Sequence, residues 1–280
     1  MMFVTFICWA ILANYPSANA SPTPFLKSNL ETRVTNGYNA SRLQFPYQVS
    51  VQYDYGLNMQ FWDHVCGGAI ISRTYVLTAA HCKFLDGNMK IVAGITNLGE
   101  QAQERQDILA AEVIHYPTYP INDKTVTFGD IALIRLATAL VWSRAVQPVS
   151  ISQHNSESGN AILTGWGEIS SNSVLAPVTL QWAQVPILST TVCANTVRSL
   201  SPQLADAPFD NTIICTNTRS TTSPVSACNG DSGGPLVQNG VIIGVVSWGI
   251  SPCGEISNAP TMYTRVASYA LWIAQYVTDL

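Results

Sequence analysis

Short β-type segments separated by turns recur along this chain, and they limit its fold more than any other feature. Residues 47–53, 68–72, 89–93, 108–115, 131–136, 178–188, 241–248 and 261–266 are rich in β-branched and aromatic types, which suit a pleated, packed surface. Gln48-Val49-Ser50-Val51-Gln52 alternates polar with apolar, the period-two signature of a half-buried strand. Many short strands without helices between them point to barrels or sandwiches rather than βα units. One helix is expected, over residues 268–277, where Leu271, Ala274 and Gln275, with Ile273 and Val277, allow an apolar stripe. No internal repeat or low-complexity linker is visible. The pattern is that of an all-β chain ending in an α-helix.

Composition excludes several functions. Apolar residues make up 47% of the 280 and charged residues 11%, and 13 Lys and Arg stand against 17 Asp and Glu, a formal charge of −4. So near neutral, the chain has no electrostatic footprint for nucleic acid, and it is too apolar to stay disordered. Residues 1–13 are almost wholly apolar but short of the ~20 residues a membrane span needs. Ala18-Asn19-Ala20 follows them as a small-x-small pattern suited to signal peptidase. The expected signal peptide is therefore 1–20, although no basic residue precedes the apolar run; a buried first element is the competing reading. No other apolar run approaches spanning length, so no membrane anchoring is expected of the mature chain.

Export changes how the cysteines are read. Cys8 leaves with the signal segment, and Cys66, Cys82, Cys193, Cys215, Cys228 and Cys253 remain. An even set in an oxidising compartment argues for disulfides, and spacing alone does not choose among the roughly 15 pairings. Zinc is disfavoured because no C-x-x-C or clustered Cys/His tetrad is present. Asn39-Ala40-Ser41 is a sequon, which makes Asn39 a glycosylation candidate.

Three segments carry the chemistry: Val76-Leu77-Thr78-Ala79-Ala80-His81-Cys82, then Gly129-Asp130-Ile131-Ala132-Leu133, then Gly230-Asp231-Ser232-Gly233-Gly234-Pro235. Taken singly, each has an ordinary explanation: a core histidine, a turn aspartate, a glycine-rich turn. Together they suit nucleophilic catalysis. A Ser hydroxyl needs a neighbouring base, and His is suited to that at neutral pH. A buried Asp on the other ring nitrogen fixes the tautomer, and glycines beside the Ser let backbone N–H groups converge on one point. Asp231 is left without a role in such a triad and needs its own partner.

These residues resemble the chymotrypsin-like, trypsin-fold serine proteases, in particular secreted arthropod digestive chymotrypsins. TAAHC at His81, DIAL at Asp130 and GDSGGP at Ser232 occur in the family's order, with SWG at 247–249 and YTRV at 263–266. The resemblance covers residues 33–280. It implies two packed six-stranded antiparallel β-barrels divided near residues 140–150, with the cleft between them. It implies a catalytic triad of His81, Asp130 and Ser232 and an oxyanion hole from the N–H groups of Gly230 and Ser232. It further implies disulfides Cys66–Cys82, Cys193–Cys215 and Cys228–Cys253. Ser247 would support Asp130, and Ser247, Trp248 and Gly249 would pair with substrate as an added strand.

The resemblance also supplies a partner for Asp231. Arg33 precedes Val34-Thr35-Asn36-Gly37, which implies a propeptide over 21–33, cut at Arg33–Val34, and a protease domain over 34–280. The new amino group of Val34 would enter the protein and pair with Asp231, since burying the two charges together is tolerable and burying either alone is costly. Ser226 aligns with the base of the substrate pocket, where relatives that cut after Lys or Arg carry Asp. An uncompensated substrate cation there would be costly. Gly249 should leave the pocket mouth open and Thr261 should shorten it, favouring Leu, Met or smaller residues, with Phe or Tyr also accepted. Glu255, turned inward, would instead give trypsin-like specificity. An apolar pocket also means that a separate trypsin-like protease performs the activating cut.

A catalytically silent binding homologue and a disulfide-braced structural or lectin module are the other classes. The first is disfavoured because His81, Asp130, Gly230 and Ser232 are all kept, and the second would need no triad. No cofactor or metal is implied; Glu100 and Glu104, in the region where some relatives bind calcium, are read as solvated loop carboxylates. The expected partners are protein or peptide substrates, the activating protease and protein protease inhibitors, with the chain a secreted monomer, suited to a gut lumen.

Overall fold

A computed structural model describes residues 37–54, 61–83, 87–120, 128–169, 176–204, 207, 209–217 and 225–278. The expected signal segment, the expected propeptide and Val34 lie outside the described residues. After the two-residue strand β1 (Tyr38–Asn39) come β2 (Gln48–Asp54), β3 (Asp63–Ile70), β4 (Tyr75–Thr78), β5 (Asn88–Ala93), β6 (Gln106–His115) and β7 (Ala132–Leu136). These six form a closed barrel in the order β2-β3-β4-β7-β6-β5. The short β8 (Ser150–Ile151) leads to β9 (Asn160–Gly165), β10 (Gln181–Leu188), β11 (Ile213–Thr216), β12 (Pro235–Gln238), β13 (Val241–Gly249) and β14 (Thr261–Arg265). The later six run β9-β10-β11-β14-β13-β12 and close through β12–β9 pairing, with β1 and β8 attached outside the ring. Both rings therefore wind in the same order, and closure leaves no ring strand with an unpaired edge.

Each barrel is filled by alternate side chains of its own strands. Val49, Val51, Ile70, Leu77, Ile91 and Leu133 fill the first, and Leu163, Val185, Ile214, Leu236 and Tyr263 the second. β2 is not half-buried as its alternation suggests. Gln48, Ser50 and Gln52 are as buried as the valines between them, because the polar face of β2 turns toward the second barrel instead of water. There Thr164 Oγ1 donates to Gln48 Oε1 at 2.7 Å, while within its own barrel Ser50 Oγ meets Nδ1 of His64 on β3 at 2.8 Å.

The C-terminal helix is shorter than residues 268–277. Val266–Tyr269 is a 3₁₀ turn and only Ala270–Ile273, α2, is α-helical. Its buried residues are Trp272 and Ile273, with Val277 beyond, while Leu271 is 86% exposed, so the expected stripe is rotated off Leu271. Aromatic packing sets this rotation, since Tyr269 and Trp272 both meet Tyr116 edge-on, at 4.7 and 5.5 Å. A second helix, α1 (Thr190–Leu200), was not expected. Ser189 Oγ accepts from Val192 N–H at its start, and Cys193, Ala194 and Val197 are buried. The disulfides are Cys66–Cys82, Cys193–Cys215 and Cys228–Cys253, with Cα–Cα separations of 6.1, 6.2 and 5.5 Å. Cys193–Cys215 ties α1 to β11.

Candidate active site

His81 sits in a single 3₁₀ turn, Ala80–Cys82, at the end of β4, and Cys82 beside it is bonded to Cys66 of β3. Asp130 lies just before β7, after Gly129, whose φ of +74° turns the chain. The Asp130 carboxylate takes the His81 main-chain N–H on Oδ1 at 2.9 Å and faces His81 Nδ1 with Oδ2 at 2.7 Å. The second barrel holds the same residue: Ser247 Oγ donates to Oδ2, and Thr264 Oγ1 donates to the Asp130 carbonyl at 2.7 Å. Burial acts against the His81 imidazolium, but the hydrogen bond and charge of Asp130 outweigh it and raise its pKa above the usual value. Burial likewise acts against ionised Asp130, and His81 and Ser247 more than compensate, holding its pKa below the ordinary carboxylate range.

Ser232 stands in a loop fixed at both ends. Its carbonyl accepts from Gly67 N–H of the first barrel at 2.8 Å, while Gly233 N–H and Gly234 O pair with Val246 of β13 at 2.8 and 2.9 Å. Gly233 has φ +75°, and a Cβ there would lie 2.2 Å from Thr78 Oγ1 and 2.9 Å from Cys82 Sγ. Only glycine lets the Ser232 loop approach the wall that carries His81 this closely. Gly230 precedes Asp231 at φ +93°, and its carbonyl faces His64 Nε2 at 3.0 Å.

Asp231, next to Ser232, is fully buried. Gly167 N–H donates to Oδ1 at 2.8 Å and Cys228 N–H to Oδ2 at 3.0 Å. A Cβ on Gly167 would fall 2.4 Å from the carboxylate carbon, so the glycine makes room for the acid. Burial pushes the Asp231 pKa up to about 6 despite the two N–H donors. No cation pairs with it among the described residues.

Ser226 and Thr261 are buried, and Gly249 is exposed, with open space where a Cβ would stand. The Thr261 hydroxyl accepts from Ala227 N–H at 3.2 Å and bonds the Tyr263 hydroxyl. Trp248 packs against Phe209, ring centres 6.0 Å apart. Glu255 is exposed. Asn39 is also exposed, and its Oδ1 accepts from Gln181 Nε2 at 2.8 Å.

Three participants were missed in the sequence. His64 braces Gly230, Thr264 braces Asp130, and Glu168 bonds Asn229 beside Gly230. His64 left a trace in the polar residues of β2 that form its surroundings, and Thr264 lies inside the YTRV motif without its role being read from it. Burial lowers the His64 pKa to about 4, with the Gly230 carbonyl opposing.

Neither candidate cation site fits a metal. Cys66, His81 and Cys82 bring ligand-type atoms within 4.8 Å of one another, but both sulfurs are in the disulfide and offer no thiolate. Glu100 is taken by Arg42 and by the N–H groups of Thr96 and Asn97, and Glu104 by Arg42. Arg105 meanwhile donates to the Glu100 carbonyl at 2.9 Å, so the 94–107 loop already holds its own cation where calcium would need free oxygens.

Two like-wound barrels with a His–Asp pair and a glycine-flanked serine between them define a serine endopeptidase. The family model described as Trypsin matches residues 34–273, and the chain belongs to that family. It is 33% identical to Trypsin alpha of Drosophila melanogaster over 258 residues, 91% of each chain. It is 32% identical to Chymotrypsin-C of Rattus norvegicus over 276 residues, 96% of each. Among solved structures it is similar to neuropsin, a serine protease expressed in the limbic system of mouse brain, with a TM-score of 0.72 at 30% identity, covering 85% of this chain and 97% of that one.

Proposed function

We propose that this serine endopeptidase is exported by residues 1–20, held inactive by 21–33 until cut at Arg33–Val34, and then cleaves after apolar residues. The observation that carries its chemistry is Asp130, bonded at once by His81 of its own barrel and by Ser247 and Thr264 of the other. Ser232 Oγ attacks the peptide carbonyl and passes its proton to His81 Nε2, while Asp130 holds the proton on Nδ1. The carbonyl oxygen, now negative, takes the N–H groups of Gly230 and Ser232. His81 then protonates the departing amine, and water, activated by the same imidazole, releases the acyl group from Ser232.

Apolar specificity is supported by the buried base at Ser226, by Thr261, whose fixed hydroxyl and methyl shorten the pocket, and by the exposed position of Glu255. The buried Asp231 supports activation through Val34, because an inserted ammonium would meet a carboxylate now held by two neutral donors. Export, the protease domain over 34–280, the trypsin-like activator, protein inhibitors and a monomeric state belong to the same proposal.

The test is the chain after tryptic cleavage, given fluorophosphonate and a peptide panel varied at the cleaved residue. Labelling at Ser232, faster cleavage after Leu or Met than after Arg, and a loss of about 10⁶-fold in turnover on Ser232→Ala are the expected results. Absence of labelling would indicate a binding homologue, and preference for Arg would remove the apolar pocket. In the same panel, Thr261→Gly should shift preference toward Phe and Tyr.

A further inference from the structure

The Ser232 loop is gripped on two flanks. On one, Gly233 and Gly234 pair with Val246 of β13, whose continuation at 247–249 is the proposed seat of the acyl half of the substrate. On the other, Glu168 N–H donates to the Asn229 carbonyl at 2.8 Å, and Asn229 Nδ2 donates back to Glu168 Oε2 at 2.7 Å. Gly167 Cα lies 3.1 Å from where a Cβ on Gly230 would stand. The clasp therefore sets a carboxylate beside Gly230, on the flank that β13 does not occupy.

That flank is where the leaving half of a substrate must run, since the acyl half lies along β13. Glu168 is half-buried and Asn229 exposed, so the clasp reaches solvent beside Gly230. Among the described residues no cation pairs with Glu168, and the neighbouring residues 170–175, SSNSVL, carry no charge in sequence. Among the described residues the charge is left for something that binds there.

We propose that Glu168 is a specificity-determining residue that favours a Lys or Arg side chain at the first two positions of the leaving half. This rests on the hydrolytic reading above. A partly solvated ion pair of this kind changes kcat/KM by about two- to fivefold and weakens with salt. A purely structural clasp would show neither effect.

The test uses quenched-fluorescent peptides with the same acyl half ending in Leu, followed by two arginines, two serines or two glutamates. The activated enzyme should cut them in that order, with the series compressed at about 0.5 M salt. Glu168→Gln keeps an acceptor for Asn229 and should flatten the series, and Glu168→Lys should invert it. A flat series in the unmutated enzyme, or an unchanged order in Glu168→Gln, overturns the inference. A leucine p-nitroanilide, whose leaving group bears no residue, separates the two readings. If it is cut while the peptide series is flat, only the role of Glu168 fails; if neither it nor any peptide is cut, hydrolysis fails as well.

Discussion

Asp231 makes the chain sensitive to pH in an unusual direction. Its folded pKa of about 6 lies above the ordinary 3.8, so the folded protein keeps a proton that the unfolded chain releases. The stability this contributes is complete below about pH 4 and disappears as pH rises through 6. The difference amounts to about 3 kcal/mol, or roughly 6–12 °C in Tm for a domain of this size. An ammonium from Val34 would remove the effect. With Ser232→Ala in place to prevent digestion, the Tm of the uncut chain should fall relative to the trypsin-cut chain between pH 4 and 7. Parallel curves would mean that Asp231 finds no new partner on cleavage. His64, with its pKa lowered to about 4, loses stability in the opposite sense as pH falls from 6.5, and comparing the two forms cancels it.

Among the strands and loops, the 94–107 turn is braced by Glu100 as well as by Arg105. Besides the Glu100 carbonyl, its guanidinium holds Asp107 at 2.6 Å through Nε. A chelator should leave Tm unchanged, whereas Arg105→Ala, which loses both Asp107 carboxylate oxygens and the Glu100 carbonyl, should lower it by roughly 3–12 °C, the net worth of one charge-assisted bond after solvent screening. A large drop with chelator alone would return calcium to this loop. Strands were legible where β-branched runs were long: residues 47–53 were expected and Gln48–Asp54 found, and 241–248 became Val241–Gly249. Ile213–Thr216 and Pro235–Gln238 escaped notice because four residues are too few to show a period. Helix α1 was hidden by its β-branched TTV opening, a poor helix former. It depends instead on its Ser189 cap, its disulfide and the burial of Val197.

The two barrels are joined by a polar seam that local sequence could not announce, because its members pair at long range. Thr264 and Asp130, or Thr164 and Gln48, sit more than a hundred residues apart. By contrast, the triad candidates were legible because each lies in a compact motif whose glycines and cysteines have their own steric reasons. The seam also keeps the site in register. Thr264→Val preserves shape but leaves the Asp130 carbonyl without its donor, at a cost of about 1–3 kcal/mol. Under the proposed mechanism kcat should fall more than KM rises, and the acid limb of the pH–rate profile, set by His81, should move. A lower Tm with unchanged kinetics would mean that the seam serves stability alone.

Because the proposed base and its carboxylate belong to the earlier ring and the nucleophile to the later one, neither ring is a catalyst by itself. During synthesis the emerging polypeptide can complete its first ring, with imidazole and carboxylate already engaged, and still be harmless. Hydrolytic competence must wait until the later ring, Thr264 included, has left the ribosome, so the order of translation itself delays the appearance of a working protease.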